Sequence, residues 1–155
     1  MLMANSDDST DSLRATAQLT IFRNRDGKIE YLFLKRQNDS DQEDLHPWQP
    51  VAQSLDNDNH VSDELLKQAA AEQAGIKDFT YLSDELSEYE WYADDQNGRD
   101  VVYAAEVSND TAIFPDLHRY SEFEWLPFSM ALSRLRWSGG KTSLRRLQAD
   151  LEARL

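Results

Sequence analysis

Two rhythms of apolar and polar positions alternate along this chain. The segment Arg14-Ala15-Thr16-Ala17-Gln18-Leu19-Thr20-Ile21-Phe22 alternates and is rich in β-branched residues, which predicts a strand. Arg25-Asp26-Gly27-Lys28 carries the Asp-Gly hairpin signal, and Ile29 to Arg36 returns as a second strand. The period then lengthens. Leu65, Leu66, Ala69, Ala70 and Gln73 recur at three- and four-residue spacing, which predicts a helix over 62–76. Ser62 suits its N-cap, Asp63 and Glu64 suit the positive end of its dipole, and Gly75 is placed to close it. Phe79 to Leu82 and Glu88 to Tyr92 read as strand material. Asp95-Gln96-Asn97-Gly98 reads as a turn, and Asp100 to Val107 completes a second hairpin. Ser129 to Leu135 predicts a short helix, Ser138-Gly139-Gly140 a break, and the remainder a last helix. That helix carries Leu144, Leu147, Leu151 and Leu155 on one stripe and Arg145, Arg146, Asp150, Glu152 and Arg154 on the other side. It is a cover for the sheet or part of a homodimer contact. Periodicity alone gives mixed α and β.

Length adds that the 155 residues suit one domain, at 13–155, which buries roughly 68–70% of the surface of its unfolded chain. Residues 1–12 are rich in Ser, Asp and Asn and predict a flexible tail. With no cysteine, neither a disulfide framework nor a thiolate nucleophile nor a zinc-thiolate site is available. The start lacks a signal-peptide pattern and no long apolar run occurs, so a soluble, cytoplasmic protein away from membranes is expected. A formal net charge of −13 argues against DNA or RNA as a partner. It leaves room for a small polyanion held by a local basic lining, and Arg134, Arg136, Lys141, Arg145 and Arg146 form the one basic stretch.

The stretch from Trp48 to Ile76 resembles a worn copy of the Nudix signature. In that family a glycine, five residues, a glutamate, seven residues, Arg-Glu, an apolar residue, any residue, Glu-Glu, any residue, a glycine and an apolar residue follow in order. Counting back from Gly75-Ile76, Glu72 matches the first glutamate of the Glu-Glu pair, Gln73 stands at the second, and Gln68-Ala69 stands at Arg-Glu. Trp48-Gln49-Pro50-Val51-Ala52 resembles the strand leading into the box. That alignment puts Gln53 at the box glycine and Asn59 or His60 at the first glutamate, whereas counting from the helix gives Ser54, so one extra residue lies between about Leu55 and Ser62. His118 to Leu126 resembles a later family segment, found also in the dihydroneopterin triphosphate branch, in which Arg119 stands where an additional catalytic glutamate belongs and Glu122 matches the glutamate that follows. The resemblance covers about residues 13–148 and implies an α/β/α sandwich with a mixed central sheet and a smaller antiparallel sheet.

It also implies a chemistry. Pyrophosphate hydrolysis draws on divalent cations, here Mg²⁺ or Mn²⁺, which take hard oxygen ligands. Positions 69, 72 and 73 share one side of the helix and offer Ala69, Glu72 and Gln73, so Glu72 is the one surviving candidate for both catalysis and metal binding. Between Asp39 and Glu64 lie eight acidic residues and no Lys or Arg, from which Asp56 and Asp58 are candidate substitute ligands, the alternative being a solvated loop. His46 and His60 do not stand at the sequence spacing of a zinc-binding histidine pair and read as surface or packing residues. Lys35, Arg36 and Arg119 are candidate contacts for substrate phosphates. Tyr81, Tyr89, Trp91 and Tyr103 either stack on a nucleobase or pterin or fill the core. Two functions remain open: a weakened hydrolase of nucleoside diphosphate-X compounds, and a non-catalytic module of the same fold that binds a nucleotide, a related diphosphate or a protein.

Overall fold

The structure is a computed structural model that describes residues 14–154 apart from 39, 41, 56–59 and 94. The expected tail, the candidate ligands Asp56 and Asp58, and Leu155 lie outside the described residues.

Strand β1 (Arg14–Arg25) is the hub of the sheet. It turns through Asp26 and Gly27, both at positive φ, into β2 (Lys28–Arg36), and the Asn24 side chain closes the turn by accepting the Gly27 N–H at 2.8 Å. Paired positive φ values match the right-handed twist of the strands, which is why Asp-Gly succeeds here. Trp48 to Ser54 is not one strand but two, β3 (Trp48–Gln49) and β4 (Val51–Ser54). Pro50 has no N–H to give a ladder, and at that point the chain crosses from pairing with β2 to pairing with β1.

The second hairpin is β6 (Ser87–Ala93) and β7 (Gln96–Glu106), with β5 (Tyr81–Leu82) pairing on β7. β7 runs parallel to β1, whereas β8 (Tyr120–Pro127) runs antiparallel to β2. The result is a mixed sheet of eight strands. Its turn differs from the expected Asp95 to Gly98, because Asn97 and Gly98 lie within β7 opposite Tyr92 and Trp91. Gly98 is there for room: a Cβ on it would stand 2.2 Å from the Trp91 ring.

Strand alternation sends residues to opposite faces, and each face has its own core. Leu32 and Leu34 pack with Leu19, Val51 and helix α1 (Asp63–Ala74), through Leu66, Ala69, Ala70 and Ala74. Tyr31 and Phe33 pack on the other side with α2 (Phe128–Arg134) and α3 (Ser138–Ala153), through Ala131, Leu144, Leu147 and Leu151. This is the α/β/α sandwich that the resemblance implies. The expected break at Ser138-Gly139-Gly140 is instead the first turn of α3, since Gly139 and Gly140 let the helix approach Tyr89, whose ring a Cβ on Gly139 would meet at 2.3 Å.

Helix α1 starts and stops as its sequence dictates. Ser62 Oγ accepts the Leu65 N–H at 3.1 Å, and Gly75 takes the left-handed conformation at φ 70° with its N–H directed back at Ala71 and Ala70. Ser62→Ala removes that acceptor and lowers stability by about 1 kcal/mol, measured by urea denaturation.

Candidate functional site

A cleft of about 260 Å³ opens beside β1, β4 and β6. One wall is Tyr89 and Trp91 on β6, and Trp137 just before α3 closes over it. The Trp91 and Trp137 rings stack at 5.0 Å between centroids and 13° between planes. Trp48, with Gln49 and Pro50, forms the opposite wall at the crossing between β3 and β4. Trp48 is itself backed by the guanidinium of Arg134 at 4.7 Å. Glycines made this wall possible, since Gly98 and Gly139 clear the space that the Trp91 and Tyr89 rings occupy.

Asp100 lines the same cleft from β7. Its Oδ2 accepts the Tyr89 hydroxyl at 2.8 Å and its Oδ1 accepts the Trp91 indole N–H at 3.1 Å. Burial lifts the Asp100 carboxyl above the ordinary carboxylate range, with these two hydrogen bonds pulling the other way. Tyr89 is pushed well above the ordinary phenol value, first by burial and then by the Asp100 charge.

Two guanidinium groups reach the cleft, and they differ. Arg36 is committed: it donates to Gln49 Oε1 at 2.6 Å, to Asp44 at 3.0 and 3.1 Å, and to the His46 carbonyl at 2.6 Å. Burial raises the Asp44 carboxyl, but the bonds from Arg36 and the His46 N–H outweigh it and hold it below the usual value. Arg136 lies over the Trp137 ring at 4.3 Å, is exposed, and has no carboxylate within ion-pair distance among the described residues.

From Gln49 a chain of donors runs inward to helix α1. Gln49 Nε2 donates to the Tyr120 hydroxyl at 3.3 Å, and that hydroxyl donates to Gln73 Oε1 at 3.0 Å. Gln73 is fully buried and grips the backbone of Ala52, its Oε1 accepting the Ala52 N–H at 3.3 Å and its Nε2 donating to the Ala52 carbonyl at 2.7 Å. Ala52 also lines the cleft, so this is where helix and cleft meet.

The helix positions expected to hold a cation do not form a ligand set. Ala69 is buried in the core and carries no donor. Glu72 points to solvent and accepts the Gln68 side-chain N–H at 2.7 Å. Gln73 presents an N–H, not an oxygen, to the one carbonyl it touches. Among the described residues no three His, Asp or Glu side chains converge on a cation site. Mg²⁺ or Mn²⁺, which needs several oxygen ligands, does not fit this donor set.

The expected phosphate contacts are dispersed. Arg36 borders the cleft, whereas Lys35 pairs with Glu122 at 3.4 Å, its neighbour across the β2–β8 ladder, and lies 5.9 Å over Trp48. Arg119 lies 5.5 Å over the Tyr120 ring and is not part of the cleft. Of the four aromatic residues singled out in the sequence, Tyr89 and Trp91 line the cleft, Tyr103 is core, and Tyr81 borders a separate shallow pocket with Phe22 and Leu151. Asp100, Trp137 and Arg136 complete the site; only Arg136 was marked in the sequence, through the basic stretch near the C-terminus.

The sequence matches no family model and no curated protein sequence. Solved structures match its fold. The C. elegans Ap4A hydrolase, in a binary complex, aligns over 91% of this chain and 99% of its own, with a TM-score of 0.74 and 20% identity. The Nudix domain of Shewanella oneidensis NrtR, complexed with ADP ribose, aligns over 92% of this chain and 86% of its own, with a TM-score of 0.61 and 19% identity. The E. coli dihydroneopterin triphosphate pyrophosphohydrolase aligns over 85% and 92%, with a TM-score of 0.66 and 15% identity. At these identities the likeness is one of fold.

Proposed function

We propose that this chain, which has the fold of the Nudix hydrolases, is a non-catalytic module that binds a nucleotide or related diphosphate in the cleft walled by Trp48, Trp91 and Trp137, without a divalent cation. The observation that carries this reading is the Gln73–Ala52 bridge. A glutamate at 73 would set carboxylate oxygen against carbonyl oxygen, an arrangement that a cation or a proton between them makes tolerable. The glutamine meets the same carbonyl with an N–H at 2.7 Å and leaves nothing for a cation to do there. Ala69 in the core and Glu72 turned to solvent point the same way.

Binding needs less than hydrolysis does. The aromatic walls supply stacking area, Asp100 and Gln49 supply directional partners, and Arg136 supplies a positive charge at the rim. The related folds support the ligand class: one neighbour is named for Ap4A and another is complexed with ADP ribose. The competing reading, a hydrolase with Glu72 as its surviving ligand, has the names of the same neighbours in its favour.

The experiment separates the two. Purified protein incubated with a nucleotide panel in Mg²⁺ or Mn²⁺ should release neither phosphate nor pyrophosphate, while binding of a panel member persists in EDTA. Metal-dependent release that Glu72→Gln abolishes would establish the hydrolase instead.

A further inference from the structure

Asp100 is an unusual residue to find beside an aromatic wall, because a carboxylate in such a place loses hydration that only hydrogen bonds replace. It receives one bond on each oxygen, from Tyr89 and from Trp91. An ionised carboxylate has about four acceptor sites, so about one on each oxygen remains for a ligand. The two oxygens that carry these sites belong to one planar group. The ligand edge they fit carries two adjacent N–H donors at matching spacing, as Arg matches a carboxylate side by side.

We propose that the cleft selects a planar heterocycle with such a paired N–H edge, the amino-oxo pyrimidine edge of guanine, and that Asp100 is the residue that reads it. This rests on the binding reading above and adds the identity of the base. Adenine presents an amino N–H beside a bare ring nitrogen, and that nitrogen would face a carboxylate oxygen lone pair to lone pair. Hypoxanthine keeps the ring N–H but lacks the exocyclic amine, and so leaves one Asp100 oxygen unmatched. The geometry of the wall agrees. Tyr89 and Trp91 hold the carboxylate from one side, Gly98 and Gly139 let their rings sit flat against the fold, and Trp137 offers an aromatic surface beside the acceptor. A cationic ligand would also suit a carboxylate among aromatic rings, but the guanidinium of Arg136 at the same opening, which has no ion-pair partner among the described residues, disfavours one and favours an attached phosphate.

Quenching of tryptophan emission, with GMP, AMP and IMP titrated into the full chain in EDTA, reads the selection directly. The wild-type protein should bind GMP about tenfold or more tightly than AMP or IMP, the effect of one or two lost hydrogen bonds with an acceptor left unmatched. Asp100→Asn offers one acceptor and one donor in place of two acceptors, so it should lower GMP affinity and raise AMP relative to it. The wild-type ratios stand even if that variant fails to fold. Equal affinity for the three nucleotides overturns the assignment of the base while leaving the binding reading intact. Binding of none of them overturns both. An unchanged GMP-to-AMP ratio in a folded Asp100→Asn protein removes Asp100 as the reader.

Discussion

Gln73→Glu should destabilise the protein by up to about 4 kcal/mol at pH 7 and by little near pH 4. The amide at this position satisfies three groups at once, accepting from Tyr120 and the Ala52 N–H and donating to the Ala52 carbonyl. A carboxylate keeps the two incoming bonds but turns an acceptor toward the carbonyl, in a site without solvent. The folded protein would therefore hold the new side chain protonated, with its pKa raised above the unfolded value of about 4.3. The sign follows from linkage. Below the unfolded pKa the side chain is protonated in both states and nothing is lost. As pH rises above it, only the unfolded chain gives up its proton freely, and the penalty grows by about 1.4 kcal/mol per pH unit until the folded pKa is reached. Urea denaturation of both proteins between about pH 4 and pH 7 measures this, and a pH-independent difference would contradict it. Because glutamate would place two oxygens together at Ala52, Mn²⁺ should recover part of the lost stability in the variant and none in the wild type.

Gly98→Ala should cost about 2–4 kcal/mol and abolish nucleotide binding, from a change of one methyl group on the cleft wall. The added carbon would lie 2.2 Å from the Trp91 ring, so the ring must leave its place. With it go the stack on Trp137 and the indole bond to Asp100. Overpacking alone is worth about 1–3 kcal/mol, and the stack about 0.5–1.5 kcal/mol more. Near-ultraviolet circular dichroism reads the stacked indole pair, and its signal should fall in the variant alongside the shift in the denaturation midpoint. A variant that keeps the wild-type signal and affinity would show that the wall tolerates displacement.

These two residues also mark where the sequence stops being legible. The first hairpin and the limits of α1 follow from local signals, namely Asp-Gly at the turn, Ser62 at the cap and Gly75 at the close, and each acts within a few residues of itself. Gly98 and Gly139 have the same letter for a different reason. In sequence they read as a turn and a break, yet in the fold they give way to aromatic rings that other parts of the chain deliver. Helical spacing places 69, 72 and 73 near one another but cannot say which way the helix is rolled. Packing against β4 sends Ala69 and Gln73 into the interior and leaves Glu72 in solvent, so what reads as a poor cation ligand is a buried bridge. The cleft brings Thr16, Trp48, Asp100 and Trp137 together from distant parts of the chain, beyond the reach of any short window.

Mn²⁺ added to ¹⁵N-labelled wild-type protein, with paramagnetic broadening followed residue by residue, tests most directly the proposal that the cleft binds its ligand without a divalent cation. The amides of Ala52 and of residues 69–73 should broaden no more than exposed amides elsewhere on this acidic surface. Selective broadening at that junction, at less than one ion per chain, would mean that a cation still binds where Gln73 meets Ala52.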